Sequence, residues 1–398
     1  MTVAVFDRLE QLPDDPILGL NELISSDPRS EKLNLGVGVY VNDDGITPVM
    51  EAVRLAERRI HEEQVSKAYL SPRGRAEFIN PLGERIFSND LWIRRRDRIA
   101  GLQTAGCVAA LRLGAEVLGA SGIREIWVSE PTWPIHAPIF EAAGLKVRRY
   151  PYYKTGETGV LWDDMIAKLS GIGPSDAVLL HGCCHNPSGS DLSLEQWRML
   201  SDHLKKRGSI PFIDVAYAGL GEALDNDLAG LRLLTELVDE AVVAVSCSKS
   251  FGLYRERTGA LYFSGGSKRN VSAALSNALN LARTSYSMPP DHGGAVVAKI
   301  LSDHELEALW RAELKRMCEK LNGCRAQLAE LAEENGLNWG FIREQKGMFS
   351  LLPITPAQTK KLREEHAIYM PSNGRINIAG LSNAGCRHLI HSVVAITD

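Results

Sequence analysis

Several features are missing from this chain, and each absence narrows what it can be. It has no basic surplus: 45 lysines and arginines face 49 aspartates and glutamates, a formal charge of −4 over 398 residues. A polyanionic partner such as nucleic acid is therefore not expected, and the cluster RRRDR at 94–98 is read as a solvated helix face. No apolar run approaches the length of a membrane span. The start, MTVAVFDRLEQLPDDP, lacks a basic segment followed by an apolar one, so no export signal is read there and a cytoplasmic location is expected. No C-x-x-C zinc spacing occurs. Seven cysteines, an odd number with Cys183 and Cys184 adjacent, suit buried reduced thiols better than a disulfide framework. Neither an internal repeat nor a low-complexity linker is visible.

What is present is an ordinary globular composition, 44% hydrophobic and 24% charged, in a chain long enough for two domains. From about residue 100 to 265, strand-like and helix-like segments alternate. EIWVS (125–129) precedes IHAPIFEAAG, LKVRRYPYY precedes a helix near 163–170, and DAVLLHG (176–182) precedes LSLEQWRMLSDHLKKRG. IPFIDVAY (210–217) then precedes LAGLRLLTELVDE, and AVVAVS and GALYF follow. This is the βαβ pattern of an α/β fold, a mainly parallel sheet covered by helices, and it predicts a site on loops at the strand ends. From about 303 a long helical stretch leads to a smaller α+β part with strands near MFSLLP and RINIAG. The expected division is a large domain over 49–315 and a small one formed by 1–48 and 316–398.

The stretch SCSKSFGLYRERTG, 246–259, sets Lys249 among serines and small residues, with no acidic neighbour to support it as a surface charge. The run before it, AVVAVS, has the β-branched and small character of a strand buried on both faces. Lys249 is thus expected in a loop leaving a buried strand. Other loops carry complementary groups: Trp133 and His136 in EPTWPIH, Asn186 in CCHNPSG, Asp214 and Tyr217 in FIDVAY, and Arg375 opening RINIAG. Taken singly, each has a plain structural role: core packing for Trp133, a turn former for Asp214, a surface charge for Arg375. Together, an amine, a carboxylate, a phenol, a carboxamide, an aromatic plane and an arginine are what a pyridoxal phosphate site requires.

The same residues carry a resemblance. NLGVGVYVNDDGITPVMEAV, WVSEPTWPIH, HGCCHNPSG, FIDVAY, SKSFGLYRERTG, GMFS and GRINIAGL occur in this order across nearly the whole chain. The sequence resembles the class I aspartate/aromatic aminotransferases, pyridoxal phosphate enzymes of fold type I. The resemblance implies that Lys249 holds the cofactor as a Schiff base, is freed when the substrate amine replaces it, and then shuttles a proton. It implies that Asp214 pairs with the ring nitrogen, supported by His136, and that Tyr217 and Asn186 bond the cofactor's phenolic oxygen. Trp133 would stack on the ring, and Gly106, Cys107, Val108, Ser246 and Arg257 would surround the phosphate. Arg375 would clamp the substrate α-carboxylate beside Gly38. By the same resemblance, Tyr69 reaches the phosphate and Arg283 a distal substrate carboxylate in the other subunit, which implies a homodimer with shared sites.

Three departures accompany this match. The phosphate loop of the family reads serine or glycine, glycine, then threonine or serine; here it is Gly106, Cys107 and Val108, so a hydroxyl donor is missing. Its loss is expected to weaken cofactor binding by roughly 1–3 kcal/mol. Ala68, Met288 and Val41 are expected to make the pocket wall more apolar and to admit aromatic side chains alongside aspartate and glutamate, with 2-oxoglutarate as acceptor. The alternatives are a specialised aminotransferase acting on an unusual biosynthetic amino acid, a pyridoxal phosphate lyase, and a non-catalytic scaffold.

Overall fold

A computed structural model describes residues 5–12 and 16–397; residues 1–4 and 13–15, part of the start read above for an export signal, lie outside the described residues. Seven strands form the central sheet: β1 (Ile99–Ala105), β2 (Glu125–Glu130), β3 (Lys146–Pro151), β4 (Asp176–His181), β5 (Ile210–Val215), β6 (Ala241–Ser246) and β7 (Thr258–Ser264). Their order across the sheet is β1-β7-β6-β5-β4-β2-β3. Only β7 runs antiparallel to its neighbours, β1 and β6. The other pairs are parallel, as the alternation of strands and helices predicts.

β6 explains why such a sheet has two cores. All six of its residues are buried. Because successive side chains point to opposite faces, Val243 and Val245 enter one apolar cluster while Val242 and Ala244 enter the other. Helices seal both faces. One of them, Gly106–Ala120, begins directly after β1 and packs on β6 and β7. Another, Leu194–Arg207, is closed by a capping box between Ser193 and Gln196 and ended by Gly208 in the left-handed conformation.

Outside the sheet, Leu33–Asn34 pairs in parallel with Ile368–Tyr369, and Phe349–Leu351 pairs antiparallel with Arg375–Asn377. The segments MFSLLP and RINIAG are thus strands, as read. Helix His304–Glu334 is continuous for 31 residues, its first turn capped by Asp303, so it runs straight through position 315. One expectation needs correction. Only Arg94 of the cluster at 94–98 is helical, at the end of Asn89–Arg94, and the rest form a turn. Arg95 spends its guanidinium on the carbonyls of Thr235 and Glu236 rather than on solvent. Among the described residues no helix is long and apolar enough to cross a membrane, and all seven cysteines are free thiols.

Candidate active site

Topology gathers the chemistry. β2, β4, β5 and β6 are parallel, so the residues that follow them emerge along one edge of the sheet. Antiparallel β7 starts at that edge, and β1 ends there opposite it, with Ala105 paired to Thr258. A cavity of about 200 Å³ opens along this edge, and it includes Cys107, Trp133, Asn186, Asp214, Lys249 and Arg257. Gly38, Val108, Tyr217, Ser246 and Arg375 also line it. Open α/β sheets bind ligands at the carboxyl ends of their strands, and this cavity is in that place.

Lys249 follows β6 by three residues, in a loop fixed on its far side. Phe251 stacks on Trp310 with ring centres 4.4 Å apart, and the Trp310 indole donates to the Ser250 carbonyl at 2.7 Å. The backbone N–H of Tyr40 donates to the Tyr254 hydroxyl at 2.9 Å, tying the N-terminal segment to the same loop. The Lys249 amine lies 5.0 Å from the centre of the Tyr217 ring. Burial lowers its pKa, and Arg257 adds to that, against the opposing influence of Cys107 and Asp214.

Asp214 is the next-to-last residue of β5 rather than a loop residue. Both of its carboxylate oxygens are held: Cys107 Sγ donates to Oδ1 at 3.1 Å, and His136 Nε2 lies 3.1 Å from Oδ2. An ionised carboxylate only accepts, so Nε2 carries a proton, and Nδ1 lies 2.8 Å from the Thr132 hydroxyl. Burial alone would raise the Asp214 pKa; the hydrogen bond and charge of His136, with lesser contributions from His181 and Cys107, bring it below the ordinary value. His181, beside it, is pushed down to about 3 by burial and is neutral.

Asn186 is presented by a tightly bonded turn. Asp191 accepts the N–H groups of Cys184 and His185 at 2.7 and 2.9 Å, while the His185 ring lies between Ser188 and Ser129 hydroxyls at 2.7 and 3.0 Å. Asn186 Nδ2 donates to the Tyr217 hydroxyl at 3.4 Å, and its Oδ1 is buried without a partner. Burial raises the Tyr217 pKa well above the ordinary phenol, so the hydroxyl keeps its proton.

Arg375 opens its strand and is 4% exposed. It donates through Nη2 to the Gly36 carbonyl at 2.7 Å, its guanidinium lies 4.6 Å from the centre of the Phe349 ring, and its Nε is buried without a partner. Gly38 has no room for a side chain, since an added Cβ would stand 2.8 Å from the Phe349 ring. At the other end of the cavity, Gly106 has φ +78°, and an added Cβ would stand 2.5 Å from Arg257 Nη2. That residue turns the chain from strand into helix with the first-turn N–H groups unpaired, a ready anion cradle facing a guanidinium.

Not every expected residue comes here. Tyr69 is 93% exposed and, like Arg283, which bonds Ser287 on the surface, is outside the cavity. Val41, Ala68 and Met288 do not line it either; Met288 Sδ accepts the Leu70 N–H at 3.3 Å. Sequence reasoning missed His181, Ala216, Ser248 and Phe349, which do. Phe349 sits within the quoted GMFS, but only the fold brings its ring under Arg375 and edge-on to Tyr217 at 5.8 Å.

Comparison with known proteins comes to the same place. The family model described as aminotransferase class I and II matches residues 30–393. The chain is 47% identical over 380 residues to a tyrosine aminotransferase of Rhizobium meliloti, covering 96% of this chain and 97% of that one. It is 39% identical over 395 residues to an aspartate aminotransferase of Haemophilus influenzae, covering 98% and 100%. A crystal structure of an aromatic-amino-acid aminotransferase from Burkholderia pseudomallei, covalently bound to pyridoxal phosphate, superposes with a TM-score of 0.96 at 39% identity, over 100% of both chains.

Proposed function

Because the chain belongs to the class I and II aminotransferases, on their aspartate/aromatic branch, we propose that it moves an amino group between an L-amino acid and a 2-oxo acid. Aspartate, glutamate and aromatic amino acids are the donors and 2-oxoglutarate an acceptor, with pyridoxal phosphate in the strand-edge cavity. The observation that carries this is one cavity holding a buried amine of lowered pKa, a charged carboxylate and a buried arginine.

The residues present fit the cofactor. Asn186 Oδ1 and Arg375 Nε are buried polar atoms that want partners, and Gly106 leaves a space, bounded by Arg257, that a side chain would fill. Arg257, Ser246, Ser248 and the N–H groups of Cys107 and Val108 would hold the phosphate, the arginine with a fork matched to its oxygens. Val108 offers no hydroxyl, so backbone and guanidinium carry that task. Asp214 would face the ring nitrogen, Trp133 the ring plane, and Asn186 and Tyr217 the phenolic oxygen. When bound, pyridoxal phosphate supplies an electron-accepting ring that spreads the negative charge developing at the substrate α-carbon.

The chain's own residues do the rest. Lys249 tethers the cofactor; its lowered pKa leaves a share of the amine neutral, able to take a proton at the substrate α-carbon and return it. Asp214 keeps its charge because His136 and Cys107 hold both oxygens, and so keeps a proton on the nitrogen it faces. Arg375 keeps donor hydrogens beyond its bond to Gly36, the unpartnered Nε among them, with which to hold an α-carboxylate and fix which bond at that carbon is aligned for cleavage. Val108, Trp133, Ala216 and Phe349 give the cavity apolar surface that suits an aromatic side chain.

The dimer belongs to the same proposal. Tyr69 is exposed and Arg283 lies outside the cavity of its own chain, which supports two subunits completing each other's sites. Seven unpaired thiols support a cytoplasmic location. The test is spectroscopic: bind pyridoxal phosphate, then add L-aspartate or L-phenylalanine, with Lys249→Ala as control. Both should convert the absorption band of the lysine-bound cofactor to that of its aminated form. Conversion by neither would remove the dual-substrate assignment and favour a specialised substrate.

A further inference from the structure

We propose that Cys107 is a positioning residue for the reaction, its thiol fixing the orientation in which the Asp214 carboxylate meets the cofactor ring nitrogen. This rests on the cofactor assignment made above. The family's loop pattern has glycine at this place, which offers no side chain, whereas here the positive-φ turn at Gly106 aims a sulfur at the carboxylate. Cys107 is the second residue of helix Gly106–Ala120, and β7 presses against its backbone: a Cβ on Gly259 would stand 3.1 Å from the Cys107 nitrogen. Helix start and strand together leave the side chain little choice of position.

The resulting contact is 3.1 Å from Sγ to Asp214 Oδ1. Burial and the adjacent carboxylate keep the thiol protonated, so it is the donor. Among the described residues, only Cys107 and His136 hydrogen-bond the Asp214 side chain, one on each oxygen. With one donor alone, the carboxylate could turn about the His136 contact; with two, its plane is set and its remaining lone pairs keep one direction. His136, His181, Lys249 and Tyr217 also act on or respond to Asp214, and of these groups Cys107 is the one supplied by the phosphate loop. Through it the phosphate end of the cavity and the ring-nitrogen end share one rigid corner.

The test compares full-length wild type with Cys107→Ala, Cys107→Gly and Cys107→Ser. Two quantities are read: the dissociation constant for pyridoxal phosphate, by quenching of tryptophan fluorescence, and the pH at which the bound cofactor's visible band changes. A hydrogen bond from this weak thiol donor corresponds to about three- to tenfold in affinity. The alanine and glycine variants should lose that much and shift the spectral transition by roughly half a pH unit or more, while serine, which restores a donor, stays within about twofold of wild type. The proposal is overturned if alanine and glycine match wild type in both readouts, or if serine is impaired as much as alanine. A wild type that fails to bind the cofactor would sink the cofactor assignment itself, an outcome separate from either of these.

Discussion

Replacing Gly106 with alanine should separate cofactor binding from folding. At φ +78° a residue with a Cβ is strained by about 1–2 kcal/mol. The added carbon would also stand 2.5 Å from Arg257 Nη2 and 3.0 Å from its Cζ. These atoms are the far end of a flexible, exposed side chain, so the guanidinium swings away and the fold survives. In a chain of this size the strain lowers the unfolding midpoint by a few degrees, about 2–4 °C per kcal/mol at most. The cofactor phosphate, by contrast, loses a charge-assisted partner, and binding weakens by about ten- to a hundredfold. Calorimetry of the cofactor-free protein and a pyridoxal phosphate titration measure the two effects separately. Unchanged cofactor affinity in Gly106→Ala would refute the assignment of Arg257 and this turn to the phosphate.

Three more expectations follow from the site. In wild type the depressed Asp214 pKa contributes stability that is present above the unfolded value of about 3.9 and is lost as pH falls through the folded value. His136→Ala leaves burial unopposed by the main hydrogen bond and raises that pKa, so the variant loses stability as pH rises above the unfolded value; its midpoint deficit in the cofactor-free protein should widen as pH rises from below about 4, and a constant deficit would contradict this. Arg375→Lys keeps a charge but loses the fork, so KM for both amino acid and oxo acid should rise about ten- to a hundredfold in steady-state kinetics while cofactor affinity holds. Hybrid dimers of Lys249→Ala and Arg283→Ala chains should regain about a quarter of wild-type activity toward aspartate, because half the dimers are mixed and each has one intact site; no recovery would mean that each site is complete within one chain.

Much of this was legible in the sequence because the βαβ pattern reports both strands and strand ends. AVVAVS reads as a doubly buried strand and is one, which puts Lys249 where it is found. β1 was harder to read: IAGLQTA mixes glycine with polar residues, and Gln103 and Thr104 are fully buried. Gln103 can be buried because its side chain donates to the Pro290 carbonyl and accepts from the Arg75 N–H, partners far away in the chain. Phe349 and His181 were missed for a similar reason: each becomes part of the site through contacts between distant segments. Ala68 and Met288 were placed by resemblance in the wall of a cavity that a single chain does not extend to them.

The central claim is group transfer, and product stoichiometry tests it most directly. The cofactor-loaded protein is incubated with L-aspartate, or L-phenylalanine, and 2-oxoglutarate, and oxo acid, glutamate and ammonia are quantified together. Transamination predicts one glutamate for each new oxo acid and no ammonia. Oxo acid appearing with ammonia and without glutamate would contradict it and assign the site to lyase chemistry.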